Sequence, residues 1–463
     1  MKLWSISMRN LRIRIVSTVL TTLAIAVATG LYAAIMLMAQ QTRDRYEGSI
    51  GGYQAVLGPK DCSQLELLLN TIFHVGDAPG QIPMSVCDDL RAGKVSRRGA
   101  VRYAIPQARG DSISRWSFPV IGTVDEMFSL YEWQRAPLQF AEGGPWAFSY
   151  EELQELGARL AAFETARRAD EKDGPPRPII DAKWKKAVVG HRVARAMQLS
   201  LGSTIVPVHG KHGEFGYHEH PEAACEVTGI LAPTNSPLDT TVFLPLSVHL
   251  LVGGHEGGLF KVEIPAGKNP DDAAKLPVTA RQLALTAILA DPKDHLGAQF
   301  LRRDFGTRPD AQVAWPQDVI PKFLQQLGNA ADWLEIVAQL VLVVAAMMIA
   351  VAIYNTMNER RREIAIMRSL GARRTQIVAI IVGEAAALSL AGAVVGVVCC
   401  HLAALLLRST VEEMTGVWLE WASFAPRELY LLVGVGALGA LAGLLPAWKG
   451  STTQVADNLS QTY

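Results

Sequence analysis

Four apolar runs stand out along the chain, at residues 15–39, 336–354, 377–407 and 429–445. The first, second and fourth, and a portion of the third, have the length of a helix crossing a hydrocarbon core about 30 Å thick. Between the first two runs the periods are shorter. Residues 53–58 (YQAVLG) read as a strand, and 63–74 (SQLELLLNTIFH) as a helix with Leu65, Leu68, Leu69 and Ile72 on one face. Segment 187–208 reads as strand, short helix, a turn at Gly202 and strand. Segments 224–231 and 240–246 read as strands joined by the turn APTNSPLD. Residues 150–169 form a Glu/Arg/Ala/Leu helix that the cluster DEKDGPPRP ends. Ahead of the second run, Ile320, Phe323, Leu324 and Leu327 keep helical spacing, and no proline interrupts from Phe323 to Tyr354. The first run continues likewise through QQTRDRYEGSI until Gly51 and Gly52. Both are expected to leave the membrane as continuous helical stalks.

This pattern predicts a membrane protein with four transmembrane α-helices in a 1 + 3 arrangement and a large α+β extracytoplasmic domain inserted between the first and second. Residues 1–39 make a basic N-terminus and first span, 40–332 the inserted domain, and 333–463 the last three spans with a connecting helix at 355–376.

Bulk composition conceals this division: the 463 residues have zero formal net charge and 19% charged residues, and mean hydropathy is only +0.17. No basic surplus suggests a nucleic-acid partner. Local charge is more telling. The segment before the first run carries Lys2, Arg9, Arg12 and Arg14 with no acid, and 355–376 sets six Arg against Glu359 and Glu363. Both belong in the cytoplasm by the positive-inside rule. Residues 408–428 then face outward, with Glu412, Glu413, Glu420 and Glu428 against Arg408 and Arg427, and the tail from 447 faces inward. The first run exceeds the 7–15 residues of a signal-peptide core and is expected to remain as an anchor. Cys399 and Cys400 lie in the third run as packing residues. Cys62, Cys87 and Cys225 lie in the inserted domain, where an oxidising compartment permits a disulfide, Cys62–Cys87 being the nearer pair; spacing does not settle the pairing.

The block ERRREIAIMRSLGARRTQIVAIIVGEAAALSLAGAVVG (359–396) closely resembles the permease signature of the MacB/FtsX/LolC (type VII) superfamily of ABC transporters. The 1 + 3 topology, the final GLLPAWKG (443–450), and the segments AVVGHRVARAMQLSLGSTI and VTGILAPTNSPLDTTVFLPL fit the same resemblance. Two features depart from it. The tail STTQVADNLSQTY replaces a basic Pro-x-Glu-Ala-Leu-Arg-like segment, and 105–180 matches nothing in the family, so substrate identity is expected to reside there.

The resemblance implies a permease that exports or extracts a lipoprotein, lipid, peptide or hydrophobic compound, to which the histidine cluster at 208–222 adds a metal-related ligand. It places the chain in a bacterial inner membrane, with both termini in the cytoplasm. ATP and Mg would sit on a separate ATPase subunit, since no G-x-x-x-x-G-K-[ST] occurs and Gly267-Lys268-Asn269 lacks both the hydroxyl and the upstream glycine. Residues 360–370 would be the coupling helix, with Glu359, Arg360, Arg361, Arg362, Glu363 and Arg368 at the docking surface and Gly371 ending the helix as a C′ glycine. Without the resemblance, such a basic loop reads as a topology signal or a contact for anionic lipid. A second permease, in a homodimer unless a paralogue exists, completes the expected assembly. A periplasmic adaptor, lipoprotein or metal-binding protein is a further expected partner. The alternative function is an FtsX-like mechanotransmitter that regulates an outside partner and moves no substrate.

Two features stand apart from the family motifs. Glu384 lies within the third run, where capping, pairing with Arg373 or Arg374, or burial between helices accounts for it structurally. In VHGKHGEFGYHEHPE (208–222), four of ten histidines fall within twelve residues: His209, His212, His218 and His220, with Glu219 among them. Imidazoles two apart on an extended segment share a side, so the tract is a candidate transition-metal site with zinc as the default ion. A solvated, His-rich hairpin tip is the other reading. No H-E-x-x-H motif supports a metalloenzyme. His74 is a further histidine that the fold would have to bring to the tract.

Overall fold

The computed structural model describes residues 15–451 apart from 50–53, 77, 97–98, 114–117, 134–135, 172, 210–216, 235, 253–257, 263–275, 360 and 416–419. Its helices are α1 (Ile15–Ser49), α2 (Gln64–Thr71), α3 (Ser85–Arg91), α4 (Glu126–Ser129), α5 (Tyr150–Arg168), α6 (His191–Met197), α7 (Leu246–Leu251), α8 (His295–Thr307), α9 (Pro316–Glu359), α10 (Arg361–Ser369), α11 (Arg374–Thr415) and α12 (Pro426–Ser451). The strands are β1 (Ala55–Gly58), β2 (Ile82–Pro83), β3 (Val101–Ile113), β4 (Phe118–Thr123), β5 (Glu132–Trp133), β6 (Ala136–Pro137), β7 (Phe140–Gly143) and β8 (Lys186–Val189). They continue as β9 (Thr204–Ile205), β10 (Pro207–His209), β11 (His218–Glu219), β12 (Cys225–Leu231), β13 (Val242–Pro245), β14 (Ala284–Leu285), β15 (Ala287–Pro292) and β16 (Gln312–Ala314). These elements form two compact units, Met1–Arg43 with Gln325–Tyr463, and Asp44–Leu324.

In the first unit, helices α1, α9, α11 and α12 contain stretches long and apolar enough to cross a membrane: Thr18–Asp44, Pro316–Asn355, Arg374–Arg408 and Pro426–Lys449. These coincide with the four apolar runs. Ile25 and Ala28 of α1, Ile349 and Ile353 of α9, Ile381 and Ala385 of α11, and Val435 of α12 share one buried core. Leu340, Val351, Leu402 and Leu429 are exposed on the outer faces. Lipid tails are as apolar as leucine, so such helices associate through close backbone approach at small residues. A Cβ on Gly396 would lie 2.4 Å from the Ala26 carbonyl oxygen, and one on Gly392 2.7 Å from the Ile25 Cβ. The first helix is thus seated directly on the third span. Gly439 of α12 meets α11 in the same way, where a Cβ would come within 1.7 Å of the Ser389 Oγ.

The second unit is built on a twelve-stranded mixed sheet with the order β16-β1-β15-β3-β4-β13-β8-β12-β7, and β9, β10 and β11 branch from it. The long β3 joins its halves, pairing with β15 through residues 101–107 and with β4 through 108–113. β1 and β13 are buried at every position, which explains their unbroken apolar sequences. On one face of the α5 N-terminus, Ser149 and Glu152 form a capping box, which satisfies two otherwise orphaned backbone donors.

The segments 224–231 and 240–246 form strands as read, β12 and β13, and β8 lies between them in the sheet, parallel to β12 and antiparallel to β13. Their connection is too structured for a tight turn, because the Asp239 Oδ1 accepts from the backbone and hydroxyl of Thr234. α2 buries Leu67, Leu68, Thr71 and Ile72, whereas Leu65 and Leu69 are half-buried. The helix is rotated because Leu67 packs into the space left by Gly58, within 2.2 Å of where a Cβ would stand. Cys62, Cys87 and Cys225 are all free thiols. Cys62 donates to the Pro59 carbonyl and Cys87 to that of Ala104, so each is held within its own local structure. The stalk ahead of the second span is helical as expected, but it begins at Pro316 and includes Pro321.

The glycine contacts make a direct prediction. Gly396→Leu should destabilise the detergent-solubilised protein by about 1–3 kcal/mol, the usual effect of overpacking. Gly434→Ala, where nothing lies within 4 Å of the added Cβ, should leave thermal unfolding unchanged. Equal midpoints for the two variants would contradict this account of the packing.

Candidate functional site

The basic segment between the second and third spans folds as α9's last turn, α10, a four-residue connection and the start of α11. α10 is amphipathic for a structural reason. Ile364 and Ala365 are 5% and 4% exposed, and Ile364 joins the core with Met357 of α9 and Ile377 of α11. Met367 packs against the same core. The other side presents Ile366 and Leu370, which are 43% and 82% exposed. A helix pinned along one face and apolar at its exposed end offers a rigid surface to a partner.

The end of α10 is fixed by its backbone. Gly371 has φ of +97°, with nothing within 4 Å of a would-be Cβ, so conformation rather than space requires glycine. The Gly371 N–H donates to the Arg368 carbonyl and the Ala372 N–H to that of Met367, which together make a Schellman motif. The Gln376 Oε1 then accepts from the Arg373 N–H and opens α11.

Of the residues singled out in the sequence, Glu359 ends α9, and Arg361, Arg362 and Glu363 open α10. Arg360 lies outside the described residues. Arg368 is half-buried in the last turn of α10, and Gly371 is the C′ residue. Glu384 is half-buried on α11.

About 40 Å further along α11, at 1.5 Å per residue, is a polar cluster that sequence reasoning missed. The His401 Nε2 lies 3.0 Å from the Glu428 Oε2, and both side chains are nearly buried, at 8% and 12% exposure. The other ring nitrogen faces the Trp421 carbonyl, and the Phe424 ring lies 4.4 Å from the imidazole. Both ring nitrogens of His401 thus face an oxygen, and the imidazole links α11 to the start of α12. His401 is the sole histidine of the apolar runs, which was the available signal. Nearby, Gln41 and the Glu420 backbone exchange two hydrogen bonds of 3.0 Å. The Tyr32 hydroxyl donates to the Glu335 carboxylate at 2.7 Å. The first ties α1 to the segment between α11 and α12, and the second ties it to α9.

In the other unit, the structure gathers part of the histidine tract on the β10–β11 hairpin. The His209 and His218 ring centroids are 5.3 Å apart, and those of His218 and His220 are 4.6 Å apart. His212 lies outside the described residues. Glu219 pairs in register with Val208 and accepts from the Tyr217 hydroxyl, which puts it on the other face of the hairpin from the imidazoles. Glu222 takes the place beside them, with its Oε1 3.2 Å from the His220 Nδ1. His74 stands elsewhere, its Nε2 2.9 Å from the Thr241 hydroxyl. Among the described residues, no three His, Cys, Asp and Glu side chains already converge on a metal position.

A Gly371→Val substitution should cost about 1–2 kcal/mol, the penalty for left-handed backbone in a residue with a Cβ. It should also increase proteolytic cleavage at the end of α10. Unchanged cleavage and thermal stability would mean that the turn does not fix that end.

Residues 335–455 match the family described as FtsX-like permease C-terminal. A protein of Methanocaldococcus jannaschii, described as an uncharacterized ABC transporter permease, is 29% identical over 167 residues. That match takes in 34% of this chain and spans 40% of the relative's length.

Proposed function

We propose that this multi-pass membrane chain is an FtsX-like permease of the MacB/FtsX/LolC type, the membrane subunit of an ABC transporter, and that α10 is its coupling helix; the match of residues 335–455 to the FtsX-like permease C-terminal family and the similarity to an ABC transporter permease support this reading. In this reading, α10 docks on a separate ATPase in the cytoplasm. ATP binding there moves the permease, and the Asp44–Leu324 domain works on the outside. The observation that carries it is the amphipathic mounting of α10. Its buried face sits in the core shared with α9, α11 and α12, and its other face offers Ile366 and Leu370 in a segment rich in arginine.

The bundle's interior favours mechanical transmission over conduction. Its shared core is built from Ile, Leu, Val, Ala and Met with Cys400. Buried polar groups such as Ser389 and His401 are hydrogen-bonded within the bundle. Among the described residues the core offers a hydrophilic cargo no continuous polar lining, which supports uptake of the substrate from the outer leaflet or the periplasm. A lipoprotein, lipid, peptide or hydrophobic compound fits that route. A second copy of the chain completes the permease.

The docking face is tested by recovering the ATPase with the tagged permease. Leu370→Asp with Ile366→Asp, and separately Arg360, Arg361 and Arg362 all changed to Glu, should each lower recovery by about tenfold or more, equivalent to about 1.4 kcal/mol. The protease-resistant core of the inserted domain should be unaltered. Undiminished recovery with both variants would overturn the assignment of α10.

A further inference from the structure

The β10–β11 hairpin sets three imidazoles on one face. Its antiparallel register pairs His209 with His218 and Val208 with Glu219, and the His220 N–H donates to the Pro207 carbonyl at 3.0 Å. Cross-strand partners share a face of the ladder, as do residues two apart along a strand. His209, His218 and His220 therefore share a side, and Val208, which is 4% exposed, is buried on the other. β10 is anchored in turn on β3, through the pairs Pro207–Ile113 and Val208–Ser112.

The spacing of the rings suits a metal ion. Imidazoles bound to one zinc through nitrogens at about 2.0–2.1 Å have centroids roughly 5 Å apart, close to the observed 5.3 Å and 4.6 Å. His220 is the fixed member, with its side chain only 4% exposed and Nδ1 beside the Glu222 carboxylate. A carboxylate on that nitrogen favours the tautomer with its proton on Nδ1, the form in which a histidine ligates a metal through Nε2. His209 and His218 are exposed. Rotation of exposed side chains takes picoseconds to nanoseconds and brings their nitrogens round to the same ion.

The ligand chemistry narrows the metal. Burial pushes the Cys225 thiol up to about 12, and its Sγ donates to the Ala223 carbonyl. At neutral pH it offers no thiolate. An all-imidazole set selects borderline divalent ions such as zinc, cobalt, nickel and copper(II) over magnesium, calcium or copper(I).

We infer that the β10–β11 hairpin is a divalent transition-metal site, with zinc as its default ion, His209, His218 and His220 as ligands, and Glu222 as the positioning residue for His220. This goes beyond the permease reading and stands without it, because metal binding is measured with no ATPase present.

The test uses the full chain in detergent, stripped of metal by a chelator. Cobalt(II) is titrated in and followed by its visible ligand-field absorption, and zinc is then added to displace it. The wild type should bind about one ion per chain with the intense band of low-coordinate nitrogen ligation. His209→Ala with His218→Ala removes two exposed rings and should retain the fold, yet weaken binding by about a hundredfold, or roughly 2.7 kcal/mol. Glu222→Gln should weaken it about 10–100-fold with the band at an unchanged wavelength, because the ligands are the same. His295→Ala, on α8, should bind as the wild type does. Absence of the band from the wild type, or equal affinity in the wild type and the double variant, would overturn the site.

Discussion

The close approach of α1 to α11 holds the membrane unit together. Within lipid no hydrophobic force drives one helix against another, so contact depends on how near two backbones can come. Gly30, Gly392 and Gly396 allow that approach, with the Gly30 Cβ position 3.0 Å from the Gly396 carbonyl oxygen. Nearly the whole inserted domain separates α1 from α9 in sequence. The glycine contact, aided by the Tyr32–Glu335 and Gln41–Glu420 hydrogen bonds, makes the first helix part of the same unit as the last three. Any side chain larger than hydrogen at those positions would push α1 outward and open the core that Ile25 and Ala28 help to fill.

That core also explains how α10 can work. A short amphipathic helix in isolation is marginal in water. Here Ile364 and Ala365 are buried, Ile364 in the core shared with α9, α11 and α12, and the turn at Gly371 fixes where the helix stops. Its exposed residues are therefore held in place by the bundle. In the proposed coupling role, a push on α10 would be delivered through that core to the spans.

Much of this was legible in the sequence, and the limits follow from physics. The four spans were readable because a 30 Å apolar slab demands long, uninterrupted runs. The C′ glycine of α10 and the β8–α6–β9 succession were readable because caps and turns depend on local chemistry. Long-range pairing was not. Nothing in 224–246 reveals that β8 inserts between β12 and β13, since strand order is set by contacts distant in sequence. The buried face of α2 shifted because Gly58, on a different element, receives Leu67. Glu222, not Glu219, stands by His220 because hairpin register decides which face a side chain takes, and one residue reverses it. The His401–Glu428 contact joins residues on two helices through the 416–425 connection, which composition alone does not resolve.

The proposed coupling requires that α10 and the Asp44–Leu324 domain lie on opposite sides of one membrane. It is tested most directly with single cysteines at Ser369 on α10 and at Ile179, which is 83% exposed in the domain, each in a chain otherwise free of cysteine. A membrane-impermeant maleimide added to sealed right-side-out vesicles should label position 179 at once and position 369 only after permeabilisation. Labelling of both positions from the same side of intact vesicles would contradict the claim.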